Sequence, residues 1–140
     1  MDWFVKAFLK ASVTWLATGV TLGVAMGAHP AWAIYRTAHL HMLLLGFVAM
    51  MIFGVAYHVI PRFAGNPLRS GRAAGAHWWL ANVGLATMVV GFMLRAQGRA
   101  SSSLVLAIGG TAAASGAYIF AFLMWRTLDS LRRAKSAPTR

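Results

Sequence analysis

Cysteine is absent from the 140 residues. That excludes disulfides, thiolate metal sites, iron–sulfur clusters and covalent attachment of a c-type haem. Carboxylates are nearly absent too. Asp2 and Asp129, one near each end, are the two acidic side chains, so chemistry run by a pair of carboxylates has no material to work with. Charge of either sign is scarce, 11% of residues against about 25% in an ordinary soluble domain. What fills the chain instead is apolar: 59% hydrophobic residues and a mean hydropathy of +0.65. So much apolar surface excludes disorder, and the length allows one domain. The few charges are one-sided, 13 Lys and Arg against 2 acids, for a net +11. In a soluble chain that balance would suggest nucleic acid. In an apolar chain it marks the flanks that orient membrane helices, and nucleic acid is not an expected partner.

Four stretches lack Asp, Glu, Lys and Arg: Ala11–Tyr35, Thr37–Pro61, Ala73–Leu94 and Ala100–Trp125. Each exceeds the roughly 20 residues needed to cross about 30 Å of hydrocarbon. Backbone in lipid must pair internally, and the period-two alternation of a membrane barrel is missing. The expected fold is all-α, an integral membrane four-helix unit with helices near 10–28, 37–60, 75–95 and 102–125. A cleaved signal peptide over the first helix is disfavoured, since the run is long and the Ala-His-Pro stretch after it is a poor cleavage site. The N-terminus, the loop between helices two and three and the C-terminal tail hold Lys6, Lys10, Arg62, Arg69, Arg72, Arg126, Arg132, Arg133, Lys135 and Arg140. The other side holds Arg36, Arg95 and Arg99. Positive charge stays inside, so both termini are expected in the cytoplasm, in a multi-pass protein of a bacterial inner membrane. The segment Arg62–Gly75, with Pro61, Gly65, Asn66, Pro67 and Gly71, reads as the cytoplasmic turn. A single domain is expected over 1–133, followed by a frayed polar tail over 134–140.

Small residues mark packing faces: Gly19, Gly23 and Gly27 on helix one, Gly46 and Gly54 on helix two, Gly110, Ala114 and Ala117 on helix four. Trp3, Trp32, Trp78, Trp79 and Trp125 fall near interfaces as an aromatic belt. Met42, Met50, Met51, Met88 and Met93 read as flexible core filler.

The five histidines carry whatever chemistry there is. His29, beside Pro30, and His58 and His77, near the other interface, are each explained by polar anchoring at the membrane surface. His39 and His41 lie in the early turns of helix two, where polar side chains are expensive and usually functional. Residues two apart are about 200° apart around a helix. The two rings therefore project to nearly opposite faces and do not share an ion. Each suits its own cofactor, since neutral imidazole is a common metal ligand and an axial ligand of haem iron.

The stretch YRTAHLHMLLLGFVAMMIFGVAYHVIPRF, Tyr35 to Phe63, resembles the second helix of heme-copper oxidase subunit I. It is closest to the C-type oxidase and nitric-oxide reductase branch. That helix opens with an Arg, followed two or three residues later by a His that ligates the low-spin haem from the outer side. Arg36, Thr37, Ala38 and His39 match it in order and depth. AHWWLANVGLATMVVGFML, Ala76 to Leu94, resembles the next helix of the family. Together the two stretches cover about a third of the chain. The resemblance implies a haem-binding protein with His39 as ligand and His39 and His41 as the metal-binding pair. The chain departs from the family in three ways. The family subunit has about a dozen helices and this sequence predicts four. The adjacent His-His pair of the family's copper site is missing. His41 stands where the family's second helix commonly has Asn.

His39-Leu40-His41 also resembles the His-x-His of the family's tenth helix, whose rings face two haems. The large subunit resembles three four-helix arcs in approximate threefold symmetry, and three copies of this chain are expected to rebuild the ring as a homotrimer. A dimer sharing one haem is the competitor. The expected cofactor is heme b, held by bis-histidine ligation shared between protomers of the homo-oligomer. Its use would be electron transfer, or interaction with a small gas if one axial position is open. Arg36, three residues before His39, is expected to pair with a haem propionate; the alternative is an arginine that only sets topology. Two other classes stand beside this: a cofactor-free structural or assembly partner of a respiratory complex, and a copper-handling membrane protein using His29, His39, His41 and Met42. Other expected partners are membrane lipid and a redox protein. Any enzymatic activity would be that of a haem oxidoreductase.

Overall fold

Apolar chain that can satisfy its backbone only internally becomes helix. The computed structural model describes residues 1–65, 68 and 70–135, with side chains as far as residue 129, and contains no strand among them. Helix α1 is Trp3–Ala28. After His29 a 3-10 turn, Pro30–Tyr35, feeds α2, Arg36–His41. A π-helical segment, Met42–Ala49, follows at once and continues into α3, Met50–Phe63. These pieces form one apolar rod, Pro30–Phe63. Helices α4, Gly71–Ala96, and α5, Ser102–Lys135, complete the chain. Four rods are thus long and apolar enough to cross a membrane.

All four expected helices form, and each runs longer than expected. Lys6 and Lys10 ride on α1 rather than preceding it. The absence of charge marks the part of a helix in hydrocarbon, whereas lysine stems can lie along an apolar helix with their heads in water. Pro61 sits in the last turn of α3 rather than in the loop, where it removes a single i−4 hydrogen bond close to the helix end. Gly65 ends that helix with φ +63°, the left-handed closure that glycine makes without strain. Gly71 and Gly75 belong to α4, not to the turn. The Ser70 hydroxyl accepts the Ala73 N–H at 3.2 Å and starts the helix there. Asn66, Pro67 and Arg69 of the expected turn lie outside the described residues. So do Ser136–Arg140 of the expected tail, and α5 runs on to Lys135.

The rods form an open row. α1 packs on the π segment and α3, α2 on α4, and α4 along the length of α5; α1 and α5 do not meet among the described residues. Glycine sets the first interface from both sides. A Cβ on Gly19 would lie 2.7 Å from Leu43, one on Gly46 2.6 Å from Trp15, and one on Gly54 3.0 Å from Leu9. These are close approaches of the kind small residues permit in lipid. Gly27 meets nothing within 4 Å.

The α4–α5 interface corrects the expected face of helix four. Gly110 is open, and Ala114 and Ala117 are exposed. The face that packs is one residue earlier: Ser102, Gly109, Gly116 and Leu123 are buried, seven residues apart. It meets His77, Gly84 and Gly91 of α4, also seven apart, running the opposite way. Gly84 and Gly109 touch backbone to backbone: a Cβ on Gly84 would lie 2.6 Å from the Ala113 nitrogen and one on Gly109 2.7 Å from the Met88 nitrogen. Met1 and Asp2 share one cavity with Gly65 and Leu68, and Ser70 and Ala73 share another with Arg126. The N-terminus, the connection after α3 and the cytoplasm-facing part of α5 expected from charge therefore gather at one end.

Candidate functional site

His39 and His41 lie on α2, immediately before the π segment, and helical geometry sends their rings to different neighbours. The ring of His39 faces α1. Its Nδ1 lies 2.9 Å from the Gly19 carbonyl oxygen, and its Cε1 lies 2.8 Å from where a Cβ of Gly23 would be. The Gly19–Gly23 pair thus supplies both an acceptor and the space for the imidazole. The ring of His41 faces α4, 4.4 Å centroid to centroid from Phe92, with Nδ1 2.9 Å from the Thr37 carbonyl oxygen one turn back. A carbonyl only accepts, so Nδ1 carries the proton in both rings. In the neutral form Nε2 of each is left with a free lone pair, the tautomer that metal-bound histidines adopt when the other nitrogen is held by a carbonyl.

Arg36 opens α2 and is exposed. Beside the histidines, Met42 and Met93 line an apolar groove of about 400 Å³ with Leu22, Ala25 and Trp32. Met42 follows His41 in the chain and Met93 follows Phe92. Met50 is 1% exposed, core filler as expected. Among the described residues no three His, Cys, Asp or Glu side chains gather to hold a metal ion. His39 and His41 are not brought together, as their spacing requires.

The other histidines separate. His29 is exposed with its ring 5.7 Å from Trp32. His58 accepts from the Arg62 guanidinium one turn on. Both are interfacial in character. His77 is not an interfacial anchor: it is 0% exposed. Its Nδ1 lies 2.9 Å from the Tyr57 hydroxyl, and Phe8, Phe53 and Phe120 surround it. Sequence reasoning was drawn to the neighbouring Trp78 and Trp79. The signal it missed is register: Ala74, His77, Ala81 and Leu85 recur at three- and four-residue steps, the buried stripe of α4. A second polar link crosses the core where Trp15 Nε1 donates to Asn82 at 3.2 Å. Trp3, Trp32, Trp79 and Trp125 are exposed, as an aromatic belt would be, whereas Trp78 is half-buried.

Four apolar rods, the second carrying His39 and His41 on α2, are the frame in which the comparisons with known proteins stand. Residues 33–98 match the family of cytochrome c and quinol oxidase polypeptide I. The chain is also similar to the cbb3-type cytochrome c oxidase subunit CcoN1 of Stutzerimonas stutzeri, at 29% identity over 136 residues, covering 79% of this chain and 28% of that subunit. The chain thus spans less than a third of the length of the curated relative it matches. It is a helical membrane protein resembling subunit I of the heme-copper oxidases.

Proposed function

We propose that the chain is a haem-binding membrane protein, with His39 as an axial ligand through Nε2 and His41 as the second ligating position. The observation that carries this reading is the shared tautomer: each ring spends its Nδ1 proton on a backbone carbonyl and keeps the Nε2 lone pair free. The residues fit an axial ligand of haem iron, and the resemblance supplies the haem. When bound, haem supplies one-electron redox chemistry or, with an open axial position, gas binding. The chain's own residues hold the imidazoles in one tautomer and one orientation, and Arg36 neutralises a propionate at the end of α2.

The two rings face different helices, so one chain offers one ligand to each of two sites. A bis-histidine site then takes its second imidazole from another copy. The open row of helices supports such sharing, because α1 and α5 keep outer faces that a neighbouring protomer can cover. A closed ring of three copies is favoured over a dimer. The proposed cofactor is heme b; the lack of cysteine excludes covalent c-type attachment. The protein is a single domain over 1–133 with a polar tail, in the cytoplasmic membrane of a bacterium, both termini inside, and it exchanges electrons with a redox partner.

Reduced-minus-oxidised spectra of the purified protein, with and without carbon monoxide, test this. A six-coordinate b-type spectrum insensitive to carbon monoxide is expected for electron transfer, and a carbon monoxide shift for gas binding. A colourless protein from porphyrin-replete cells overturns the haem reading. Co-purification with larger oxidase subunits would then favour an assembly role, and copper without haem a copper-handling one.

A further inference from the structure

The buried pair Tyr57 and His77 has no part in the site above, and its surroundings are unlike those of any other histidine in the chain. The imidazole is enclosed by rings from three helices, Phe8 at 4.8 Å, Phe53 at 4.6 Å, Phe120 at 5.7 Å and Tyr57 at 5.8 Å, centroid to centroid. Its Cδ2 edge rests on Gly116 of α5. Nδ1 meets the Tyr57 hydroxyl, and Nε2 has no partner. A phenyl ring at 77 would remove the unpaired nitrogen but strip the buried Tyr57 hydroxyl of its partner, so the two polar side chains form one unit in the core. Tyr57 is 2% exposed, yet it lines a polar cavity of about 360 Å³ at the end that carries Met1, Asp2, His58 and Arg62. Tyr57 thus touches both that cavity and the enclosed imidazole.

We propose that Tyr57 and His77 form a proton relay leading from the Asp2–Arg62 cavity into the packed core. A hydroxyl both donates and accepts. The Tyr57 oxygen takes a proton from a hydronium ion in the cavity, leaving water there, as its own O–H bond breaks and an N–H bond forms at Nδ1 of His77. One proton moves from the cavity to the imidazole, the tyrosine is restored, and no electron moves. The imidazolium so formed lies within about 6 Å of four ring centroids, close enough for cation–π attraction to lower the cost of its burial. The charged and titratable groups facing the relay are those of the cavity: the Met1 amino group, Asp2, His58 and Arg62. The rings that α1, α3 and α5 pack on the imidazole carry no charge. The relay requires no cofactor and stands independently of the haem reading.

The test uses the full chain without added haem, in lipid nanodiscs, with ring-labelled histidine followed by infrared spectroscopy after an acid pH jump. An imidazolium signal absent from His77→Phe is expected, and its rise should slow by about tenfold or more in Tyr57→Phe. Asp2→Asn, at the cavity and away from the core, should slow it severalfold. A parent protein whose His77 never protonates overturns the proposal, as does a rise equally fast in Tyr57→Phe. Should Tyr57→Phe fail to fold, an unchanged rate in Asp2→Asn overturns it.

Discussion

The imidazole of His39 is placed by what position 23 lacks. Its ring lies where a Cβ on Gly23 would come within 2.8 Å, and its Nδ1 proton goes to the Gly19 carbonyl. Gly23→Ala must push the ring off that carbonyl. On the proposed function it should weaken haem binding by about ten- to a hundred-fold, the usual cost of disturbing the group that orients a ligating histidine. Gly27→Ala, at a position with nothing within 4 Å, should leave haem binding unchanged; absorbance titration of the two variants compares them. Arg36→Ala should lower haem occupancy or shift the midpoint potential, and an unchanged spectrum and potential would make Arg36 a topology-setting charge. Positions 39 and 41 stand out in the sequence by residue type, because a polar side chain inside a lipid span is costly. The pairing of Tyr57 with His77 was not legible. Their contact spans twenty residues and two helices, and no local pattern encodes it beyond the buried stripe of α4.

Helices α4 and α5 show how far a helix is written in its own sequence. The spacing of small residues identified a packing surface, and the choice of stripe was off by one. Gly110, Ala114 and Ala117 have the same helical spacing as Gly109, Ala113 and Gly116. Only the position of α4 decides which stripe is covered. Gly84→Ala and Gly109→Ala put a methyl into facing backbone and should each destabilise the protein by about 1–3 kcal/mol. Gly110→Ala should fall within about 0.5 kcal/mol of the parent. Denaturant titration in mild detergent, monitored by helix content, distinguishes them; equal losses at 109 and 110 would contradict the assigned face. Helix limits were the other weak point at this scale. Charge reports where hydrocarbon ends, while Ser70 and Gly65 report where helix begins and ends.

At the scale of the whole molecule the row is open. α1 and α5 sit at its two ends, with Val13, Val20 and Val24 exposed on the first and Leu104, Ile108 and Phe122 on the second. Native mass spectrometry should find an oligomer, with three copies favoured. Ala114→Trp, on the uncovered stripe of α5, should shift it toward monomer without reducing helix content. A parent protein that stays monomeric in lipid would remove the shared-ligand arrangement. By itself the sequence determined the four apolar spans, the sorting of charge between their ends and the two imidazoles of α2. Those follow from the cost of putting charge and unpaired backbone into lipid, a cost borne locally by each residue. Which stripe of α5 is covered, which carbonyl orients His39 and which hydroxyl meets His77 were decided only by the tertiary structure. Each depends on how two helices rotate against one another, and close packing sets that rotation through residues far apart in the chain.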